Sequence, residues 1–211
     1  MSGKLIIIDG PDGSGKGACI DYLKEWLPRD WFIFTREPGG TPEGVELRKK
    51  LMQEEMTADE EMGLFFEDRR LHFEKVIIPK TASGISVICD RSFSSTYAYQ
   101  VVARQRPELE ELFVSLCKEI LCDENGVPKV ESHIICLDVT PEEGLRRKAG
   151  SEDGICTKFD RKSLDFHQRV REGFKEFLRK FQGRFFKSYH IVDTEASDED
   201  RVKLSVFQII M

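Results

Sequence analysis

The sequence of 211 residues lacks both a long hydrophobic run and an excess of basic residues. No stretch approaches the roughly 20 consecutive apolar residues of a membrane-spanning helix, and the apolar run at residues 5–8 is too short for a signal peptide. The net charge of −6 argues against a nucleic-acid-binding surface, which normally carries a basic excess. We therefore expect a cytoplasmic protein that binds neither membranes nor nucleic acids and acts on small molecules.

The cysteines and histidines also lack a metal-binding pattern. No two of the six cysteines have CxxC spacing, and most lie in apolar surroundings, which favours reduced core thiols over zinc ligands or disulfides. The four histidines are scattered, so neither a metal site nor a nucleophilic triad is predicted. These residues are Cys19, Cys89, Cys117, Cys122, Cys136, Cys156, His72, His133, His167 and His190.

Five apolar runs are typical of buried parallel strands. Helical patterns separate them, and this alternation predicts an α/β fold with a doubly wound parallel sheet flanked by helices. The length and the 40% hydrophobic content allow one substantial core, so we expect residues 1–211 to form a single domain with a mobile insert. The predicted strands are residues 4–9, 31–35, 85–90, 133–139 and 189–192.

The most specific motif is the segment Gly10-Pro11-Asp12-Gly13-Ser14-Gly15-Lys16, which follows the first predicted strand and opens into a helical pattern. Its glycines let successive backbone N–H groups point inward, and the helix that follows presents its positive dipole end. Lys16 can then reach the outer phosphates of a nucleotide. The segment predicts a binding loop for ATP or GTP.

Two residues of this region depart from the general phosphate-loop pattern. Gly17 occupies the position where Ser or Thr usually offers a hydroxyl to Mg²⁺, so the metal must be held by phosphates, water and carboxylates elsewhere, or held poorly. Asp12 would be repelled by phosphates, which suggests that it meets a hydroxyl, a cation or a bound Mg²⁺ instead.

Polar motifs also follow the second and third predicted strands. These are Thr35-Arg36-Glu37-Pro38-Gly39-Gly40-Thr41, with Arg48 about two turns into the next helix, and Asp90-Arg91. Both lie at the carboxyl edge of the sheet, where ligands of open α/β sheets bind. Asp90 can hold a water of the Mg²⁺ shell and Arg91 can clamp a phosphate. A fortuitous Arg-Glu turn and a strand-end salt bridge are the structural alternatives.

Two predicted helices offer side chains suited to a nucleotide. On a helix over about residues 58–78, Phe65 and Arg69 are four apart and share a face. The ring can stack on a base, worth ~1–3 kcal/mol, while the guanidinium reaches a base-edge oxygen. Taken alone, a phenylalanine at position 65 is more often a core residue than a stacking surface. The helix after Asp90-Arg91 offers hydroxyl, phenol and amide groups from Ser95, Thr96, Tyr99 and Gln100.

A polar stretch at residues 149–157 predicts a mobile lid at about residues 148–162, with a plain surface loop as the alternative. Basic residues flank it. A solvated helix face would explain them, but beside a phosphate loop they can neutralise charge during phosphoryl transfer. They are Arg146, Arg147, Lys148, Lys158 and Arg161.

Together these motifs resemble the thymidylate kinase family of P-loop nucleoside monophosphate kinases. A further matching segment is Leu164-Asp165-Phe166-His167-Gln168-Arg169-Val170-Arg171-Glu172-Gly173, and the pieces cover residues 4–192 in the family's order. The resemblance implies that ATP and dTMP give ADP and dTDP with Mg²⁺ as cofactor. It also implies a five-stranded parallel sheet and a homodimer.

The resemblance implies roles for individual residues. Gly10 to Gly17 would cradle the ATP phosphates, and Asp12 would meet the sugar hydroxyl or the metal-water shell of the monophosphate. Phe65 would stack on thymine and Arg69 would bond its carbonyl. The remaining acceptor contacts would come from Glu37, Arg48, Arg91 on the phosphate, Ser95, Thr96 and Gln100 around the base, and Tyr99 against the ribose 2′ position.

The catalytic residues implied by the resemblance include Asp12, Lys16 and Arg91, and Asp90 would act on the metal through water. Members with glycine at the position of Gly13 generally place their catalytic basic residue in the lid. The family's lid dipeptide aligns either with Thr157-Lys158 or with Asp160-Arg161, so Lys158 is the first choice and Arg161 the second. The family prefers Tyr or Phe at the position of Ser92 and Tyr at the position of Phe174.

Two other functions remain compatible with these residues. One is a kinase that phosphorylates another deoxynucleotide, such as dUMP, or a broader set of deoxynucleotides. The other is a nucleotide-binding module with weakened catalysis, for which Gly17 would be the mark. Retention of Asp12, Lys16, Asp90 and Arg91 favours the active kinase.

Overall fold

A five-stranded, all-parallel sheet organises the chain, which confirms the predicted fold class. The computed structural model describes residues 2–150 and 157–211. The strands lie in the order β2-β3-β1-β4-β5, and each is within one residue of its predicted bounds at either end. They are β1 (Leu5–Asp9), β2 (Phe32–Arg36), β3 (Ser86–Asp90), β4 (Ser132–Asp138) and β5 (Ser188–Asp193).

The helices in the described part of the chain connect these strands. They are α1 (Lys16–Trp26), α2 (Pro42–Gln53), α3 (Ala58–His72), α4 (Ile78–Ala82), α5 (Phe93–Thr96), α6 (Leu109–Leu121), α7 (Pro141–Ala149), α8 (Leu164–Phe181) and α9 (Glu199–Ile210). Helix α2 begins at Pro42, and the Thr41 hydroxyl caps it by accepting a hydrogen bond from Gly44 N at 3.0 Å.

Two π-helical segments differ from the regular helices that the sequence predicts. The first, Phe73–Ile77, joins α3 to α4, and Pro79 is the second residue of α4. Because proline has no N–H for the carbonyl four residues back and its ring crowds that carbonyl, the helix widens there. The second, Tyr97–Ala103, continues α5 and contains neither proline nor glycine, so nothing in its residue types signals the widening.

The core has two parts, one on each face of the sheet. The larger part packs α3, α6, α8 and the Tyr97–Ala103 segment against one face, with Phe66, Phe113 and Phe177 fully buried. The smaller part packs α1 and α9 against the other face. Burial of both faces leaves the carboxyl edge of the strands as the place where polar side chains from several elements meet.

The described cysteines are buried and free, as the sequence predicted, whereas Cys156 lies outside the described residues. Burial raises the pKa of the Cys89 thiol well above its usual value, which keeps it protonated. None of the helices in residues 2–150 and 157–211 is both long enough and apolar enough to cross a membrane.

Candidate active site

The phosphate loop lies between β1 and α1, where the motif predicts it. Gly15 adopts a left-handed conformation with φ of 86° and precedes Lys16, the first residue of α1. The loop wraps around the Lys16 ammonium, which donates hydrogen bonds to the carbonyl oxygens of Gly10 at 2.9 Å and Pro11 at 2.8 Å. Burial, with a contribution from nearby Arg91, lowers the pKa of Lys16 to about 8. A desolvated ammonium of this kind is suited to binding phosphate oxygens.

Gly13 brings the loop into backbone contact with α7. Its φ is +75°, a conformation that residues with a side chain rarely adopt. A Cβ atom at this position would lie 2.0 Å from the carbonyl oxygen of Gly144. Glycine is therefore required at position 13, and the phosphate loop packs directly on the helix that leads into the predicted lid.

Arg91 and Asp12 meet at the carboxyl edge of the sheet, so the cation that Asp12 contacts in this structure is Arg91. Arg91 has a φ of 66°, an uncommon conformation for a non-glycine residue that costs ~1–3 kcal/mol and must be held by its contacts. Its guanidinium donates to Asp12 Oδ1 at 2.5 Å and to Ser95 Oγ at 3.0 Å. Burial would raise the pKa of Asp12, but Arg91 and Lys16 outweigh it and hold that pKa well below its usual value.

Asp9 belongs to this end of the site, although its only predicted role was to end the first strand. Its fully buried carboxylate accepts hydrogen bonds from Ser94 Oγ at 2.6 Å, Ser95 Oγ at 2.7 Å and Gly10 N at 2.9 Å. These bonds fix the start of α5 against the phosphate loop. Its place at the end of β1, directly before the first loop glycine, is the signal that could have identified it.

A second group of polar side chains surrounds Arg69, which is only 1% exposed. Arg69 Nε donates to Glu37 Oε2 at 2.8 Å, and Arg69 Nη2 donates to Thr96 Oγ1 at 3.1 Å. Ser92 Oγ also donates to Glu37 Oε2, at 3.0 Å. Burial would raise the pKa of Glu37, but Arg69 and His72 lower it further than burial raises it. Glu37, Arg69 and Thr96, each predicted to contact the acceptor, therefore bond to one another in a buried ionic cluster.

The prediction that the histidines cluster with nothing is wrong for His72. Its Nδ1 lies 3.0 Å from Glu37 Oε1, and its Nε2 lies 2.8 Å from Thr35 Oγ1. Ligating atoms of Glu37, His72 and Cys89 fall within 4.8 Å of one another. Both Glu37 oxygens already have protein partners, so we interpret this group as a polar core that supports the Arg69 side chain.

Two buried polar atoms in this group have no hydrogen-bond partner within the described ranges: the donor Arg69 Nη1 and the acceptor Gln100 Oε1. The orientation of the Gln100 amide is set by its nitrogen, which donates to Glu61 Oε2 at 3.1 Å. An ionised carboxylate can only accept hydrogen bonds, so the Gln100 amide turns its NH₂ group toward Glu61 and its oxygen away from it. Glu61 is fully buried and was missed by the sequence analysis, because its partners lie far away along the chain.

A cavity of about 430 Å³ joins the two groups. Asp12, Arg91 and Tyr99 line one end, and Tyr99 donates its hydroxyl hydrogen bond to Asp12 Oδ2 at 2.9 Å. Phe65 lies in the wall and is partly exposed, whereas Phe66 is 2% exposed and belongs to the core, as expected. The cavity also borders Glu37, Arg48, Arg69, Ser95, Thr96 and Gln100, so the predicted acceptor residues share one space.

The residues for a divalent cation are present at the edge of this space. Asp90 Oδ1 is buried and has no partner in residues 2–150 and 157–211, while Asp90 Oδ2 lies 3.7 Å from Arg36. A hard carboxylate oxygen of this kind fits Mg²⁺ or a water of its shell. Gly17 is exposed, and a Cβ there would meet nothing within 4 Å.

The basic residues that flank the predicted lid do not converge on one point. Residues 151–156 lie outside the described part, and α7 ends at Ala149. Lys148 borders the cavity and pairs with Asp160, and Arg161 is exposed. Arg147 is held by Thr194, to which it donates at 3.1 and 2.9 Å.

Lys158 has a different environment from the other basic residues. Its side chain is 4% exposed, and its ammonium lies 2.8 Å from Glu61 Oε1 and donates to the Glu54 carbonyl oxygen at 2.5 Å. In this arrangement Lys158 contacts the helices that form the wall of the cavity.

Comparisons with known proteins agree with this geometry. A family model described as "Thymidylate kinase" matches residues 8–204. The thymidylate kinase of Carboxydothermus hydrogenoformans is 35% identical over 205 residues, covering 95% of this chain and 93% of that protein. The thymidylate kinase of Chlamydia trachomatis serovar L2 is 36% identical over 198 residues, covering 92% and 94%. A crystal structure of thymidylate kinase from Ehrlichia chaffeensis superposes with a TM-score of 0.70 at 27% identity, covering 100% of this chain and 99% of that one.

Proposed function

The chain belongs to the thymidylate kinase family, and from that premise we propose that it transfers the terminal phosphoryl group of ATP to dTMP, with Mg²⁺ as cofactor. Transfer is direct and in line, without a covalent enzyme intermediate. Catalysis of this kind depends on positioning and on neutralising charge rather than on a nucleophilic side chain.

The observation that carries the choice of acceptor is the pair of unpartnered buried atoms, Arg69 Nη1 and Gln100 Oε1. A buried donor and a buried acceptor without partners cost about 1–3 kcal/mol each, so a ligand that pairs with both is strongly favoured. Thymine offers the matching edge, since its O4 accepts and its N3–H donates. Cytosine offers the opposite pattern at both positions and would leave these atoms unsatisfied.

The rest of the cavity supports a nucleoside monophosphate. Phe65 in the wall provides a stacking surface for the base. Arg91, fixed by Asp12 and Ser95, is placed to bind the acceptor phosphate, and Lys16 with the loop N–H groups binds the donor phosphates. Asp90 would hold Mg²⁺ through water, and the ion supplies charge neutralisation on the phosphates when bound.

The charge that develops on the transferred group also needs a protein cation near the loop. Lys148 meets this requirement best among the lid residues, because it borders the cavity and helps to lower the pKa of Asp12. We therefore place Lys148 ahead of Lys158, the first choice from the sequence, and keep Arg161 as the alternative.

A coupled assay of ADP formation tests this function directly. We expect dTMP to exceed dCMP, dGMP and AMP by about an order of magnitude or more in kcat/KM, because stacking tolerates any base whereas the paired edge contacts do not. Including dUMP, which has the same edge, separates a strict dTMP kinase from a broader one. Equal turnover of dCMP or of a purine monophosphate would refute the assignment of the base.

Three further properties stay predictions: a homodimer, a cytoplasmic location and a single kinase domain with a lid at about residues 148–162. Light scattering after size-exclusion chromatography measures the oligomeric state, with about twice the mass of the 211-residue chain expected for a dimer. Protection of the lid peptide from proteolysis when both substrates are present would support its closure.

A further inference from the structure

The lid residue Lys158 contacts the wall of the acceptor pocket. Its ammonium lies 2.8 Å from Glu61 Oε1 on α3 and donates a hydrogen bond to the carbonyl oxygen of Glu54, the residue that ends α2. Both the lysine and the glutamate are almost fully buried, with side chains 4% and 0% exposed. Because two acceptors bind the buried ammonium, the Lys158 side chain is restricted to one rotamer.

Glu61 connects this ammonium to the base-reading amide. Its Oε1 atom receives Lys158 and Arg104, and its Oε2 atom receives the Gln100 amide nitrogen at 3.1 Å. The carboxylate therefore has a different task on each oxygen. Lys158 and Arg104 hold the rotamer of Glu61 through Oε1. Through Oε2, Glu61 in turn determines which way the Gln100 amide faces.

A second contact joins the same lid segment to the pocket. Phe159, the residue after Lys158, packs edge-on against Tyr99, with ring centroids 5.6 Å apart. Tyr99 in turn donates to Asp12. The segment that begins at Thr157 is thus anchored on both the base end and the phosphate end of the cavity.

We propose that Lys158 is a positioning residue for acceptor selection: through Glu61 it holds the Gln100 amide with its oxygen toward the base, and so couples the position of residues 157–159 to recognition of the N3–H edge. This inference rests on the proposed function, which supplies the acceptor. It assigns to Lys158 a task that differs from the catalytic charge expected from the sequence alone.

The charges around Glu61 make this role separable from folding. Removal of one partner from a buried ion pair is costly when it leaves a charge alone. Without Lys158 the Glu61 carboxylate keeps Arg104, so it remains paired. The substitution Lys158→Met retains the length of the stem and removes only the ammonium. Lys162→Met is the matched control, since Lys162 lies in the same segment, is 31% exposed and approaches Glu55 only to 3.9 Å.

The test measures kcat and KM for dTMP and dCMP in four proteins: wild type, Lys158→Met, Lys158→Arg and Lys162→Met. For Lys158→Met we expect the preference for dTMP over dCMP to fall about 10-fold or more, chiefly through KM for dTMP, with kcat for dTMP within about 3-fold of wild type. Lys158→Arg should restore most of the preference, because a guanidinium can still pair with Glu61. Lys162→Met should match wild type.

A double-mutant cycle with Gln100→Ala shows whether Lys158 acts through the amide. If it does, Lys158→Met has little further effect on the preference once Gln100 is replaced. Additive effects would overturn the proposal. So would a fall in kcat of about 100-fold with an unchanged preference, which would return Lys158 to a catalytic charge. A lowered Tm with unchanged preference would leave a structural role alone and also overturn it.

Two outcomes need separate provision. If Lys158→Met does not fold, the same cycle is run with Lys158→Gln, which keeps a donor for the Glu54 carbonyl oxygen. If the wild-type protein phosphorylates no nucleotide, the proposed function fails, and calorimetric binding of dTMP and dCMP to the same variants tests the positioning role without turnover. Equal loss of affinity for both nucleotides in Lys158→Met would then contradict it.

Discussion

The phosphate loop and the base end of the cavity are built from contacts of very different sequence separation. At the phosphate end, Lys16 bonds to loop carbonyl oxygens five and six residues away. At the base end, Arg69 bonds to Glu37 across 32 positions and to Thr96 across 27. Gln100 bonds to Glu61 across 39 positions. A contiguous segment therefore encodes the phosphate loop itself, whereas the base end, like the Arg91–Asp12 pair across 79 positions, depends on the assembled tertiary structure.

The two ends also differ in what their polar atoms leave for a ligand. The loop offers backbone N–H groups and an ammonium, which suit any phosphate. The base end offers one buried donor and one buried acceptor that lack partners among the described residues. The difference suggests that catalysis and acceptor selection can be impaired separately, and the following variants test this.

The largest effect is expected at the phosphate end from Lys16→Met. Removing the ammonium from the loop should lower kcat about 10³-fold, because the Lys16 ammonium neutralises phosphate charge in a desolvated site. The relative preference for dTMP over dCMP should stay as in the wild type, measured with enough enzyme to follow both reactions. A changed preference would mean that the two ends are not separable.

The next largest effect is expected from Lys148→Ala. We expect kcat to fall about 10²-fold with a much smaller change in KM for dTMP, because a contact formed mainly in the transition state affects kcat. Steady-state kinetics of Arg147→Ala, Lys158→Ala and Arg161→Ala provide the comparison. If Arg161→Ala alone shows the loss, the other alignment of the lid dipeptide is correct, and if none does, the lid supplies no catalytic charge.

A smaller effect, confined to the base end, is expected from Phe65→Ala. Loss of stacking worth ~1–3 kcal/mol should raise KM for dTMP about 10-fold or more while kcat and KM for ATP change little. Leu64→Ala, next to it on α3, is the control for a general effect on the helix. An unchanged KM for dTMP would return Phe65 to a packing role.

The metal requirement should change by a few-fold in opposite directions in two variants. Asp90→Asn should raise the Mg²⁺ concentration needed for half-maximal activity, since it weakens the water-mediated ligand. Gly17→Ser should lower it, because a Cβ atom at this position meets no other atom within 4 Å and serine supplies the hydroxyl that glycine lacks. Mg²⁺ titrations of both variants decide this, and an unchanged requirement in both would show that the departure at Gly17 is neutral.

The smallest kinetic effect is expected from replacing Asp68, a buried residue of α3 whose Oδ1 accepts a hydrogen bond from Gly39 N at 2.9 Å. Asp68→Asn should act on stability instead. Burial, together with the charge of Glu37, raises the pKa of Asp68 to about 6. Protonation of Asp68 therefore stabilises the fold: this contribution is complete below about pH 4, the unfolded pKa, and is lost as the pH rises through about 6. Between pH 4 and 7, the Tm of Asp68→Asn should decline less than the Tm of the wild type. Parallel curves of Tm against pH for the two proteins would contradict the raised pKa of Asp68.

The parts of the molecule that sequence predicts well are those with local causes. The five strands and the loop from Gly10 to Lys16 follow from apolar runs and from one glycine-rich segment. Glu61 and His72 could not be assigned, because each stands on a helix and gains its role from partners more than 30 positions away. The sequence predicted Lys158 as a basic residue of the lid, but the direction of its side chain depends on the positions of α2 and α3 in the folded protein.

The contact between Gly13 and Gly144 limits how this enzyme can evolve. A phosphate-loop arginine is the other way to supply the catalytic cation, and at position 13 it would need a Cβ 2.0 Å from a carbonyl oxygen on a backbone with φ of +75°. Such a change demands a simultaneous shift of α7, so a single substitution at position 13 cannot place a cation in the loop. A basic residue elsewhere around the cavity can be replaced without this clash, while position 13 stays confined to glycine.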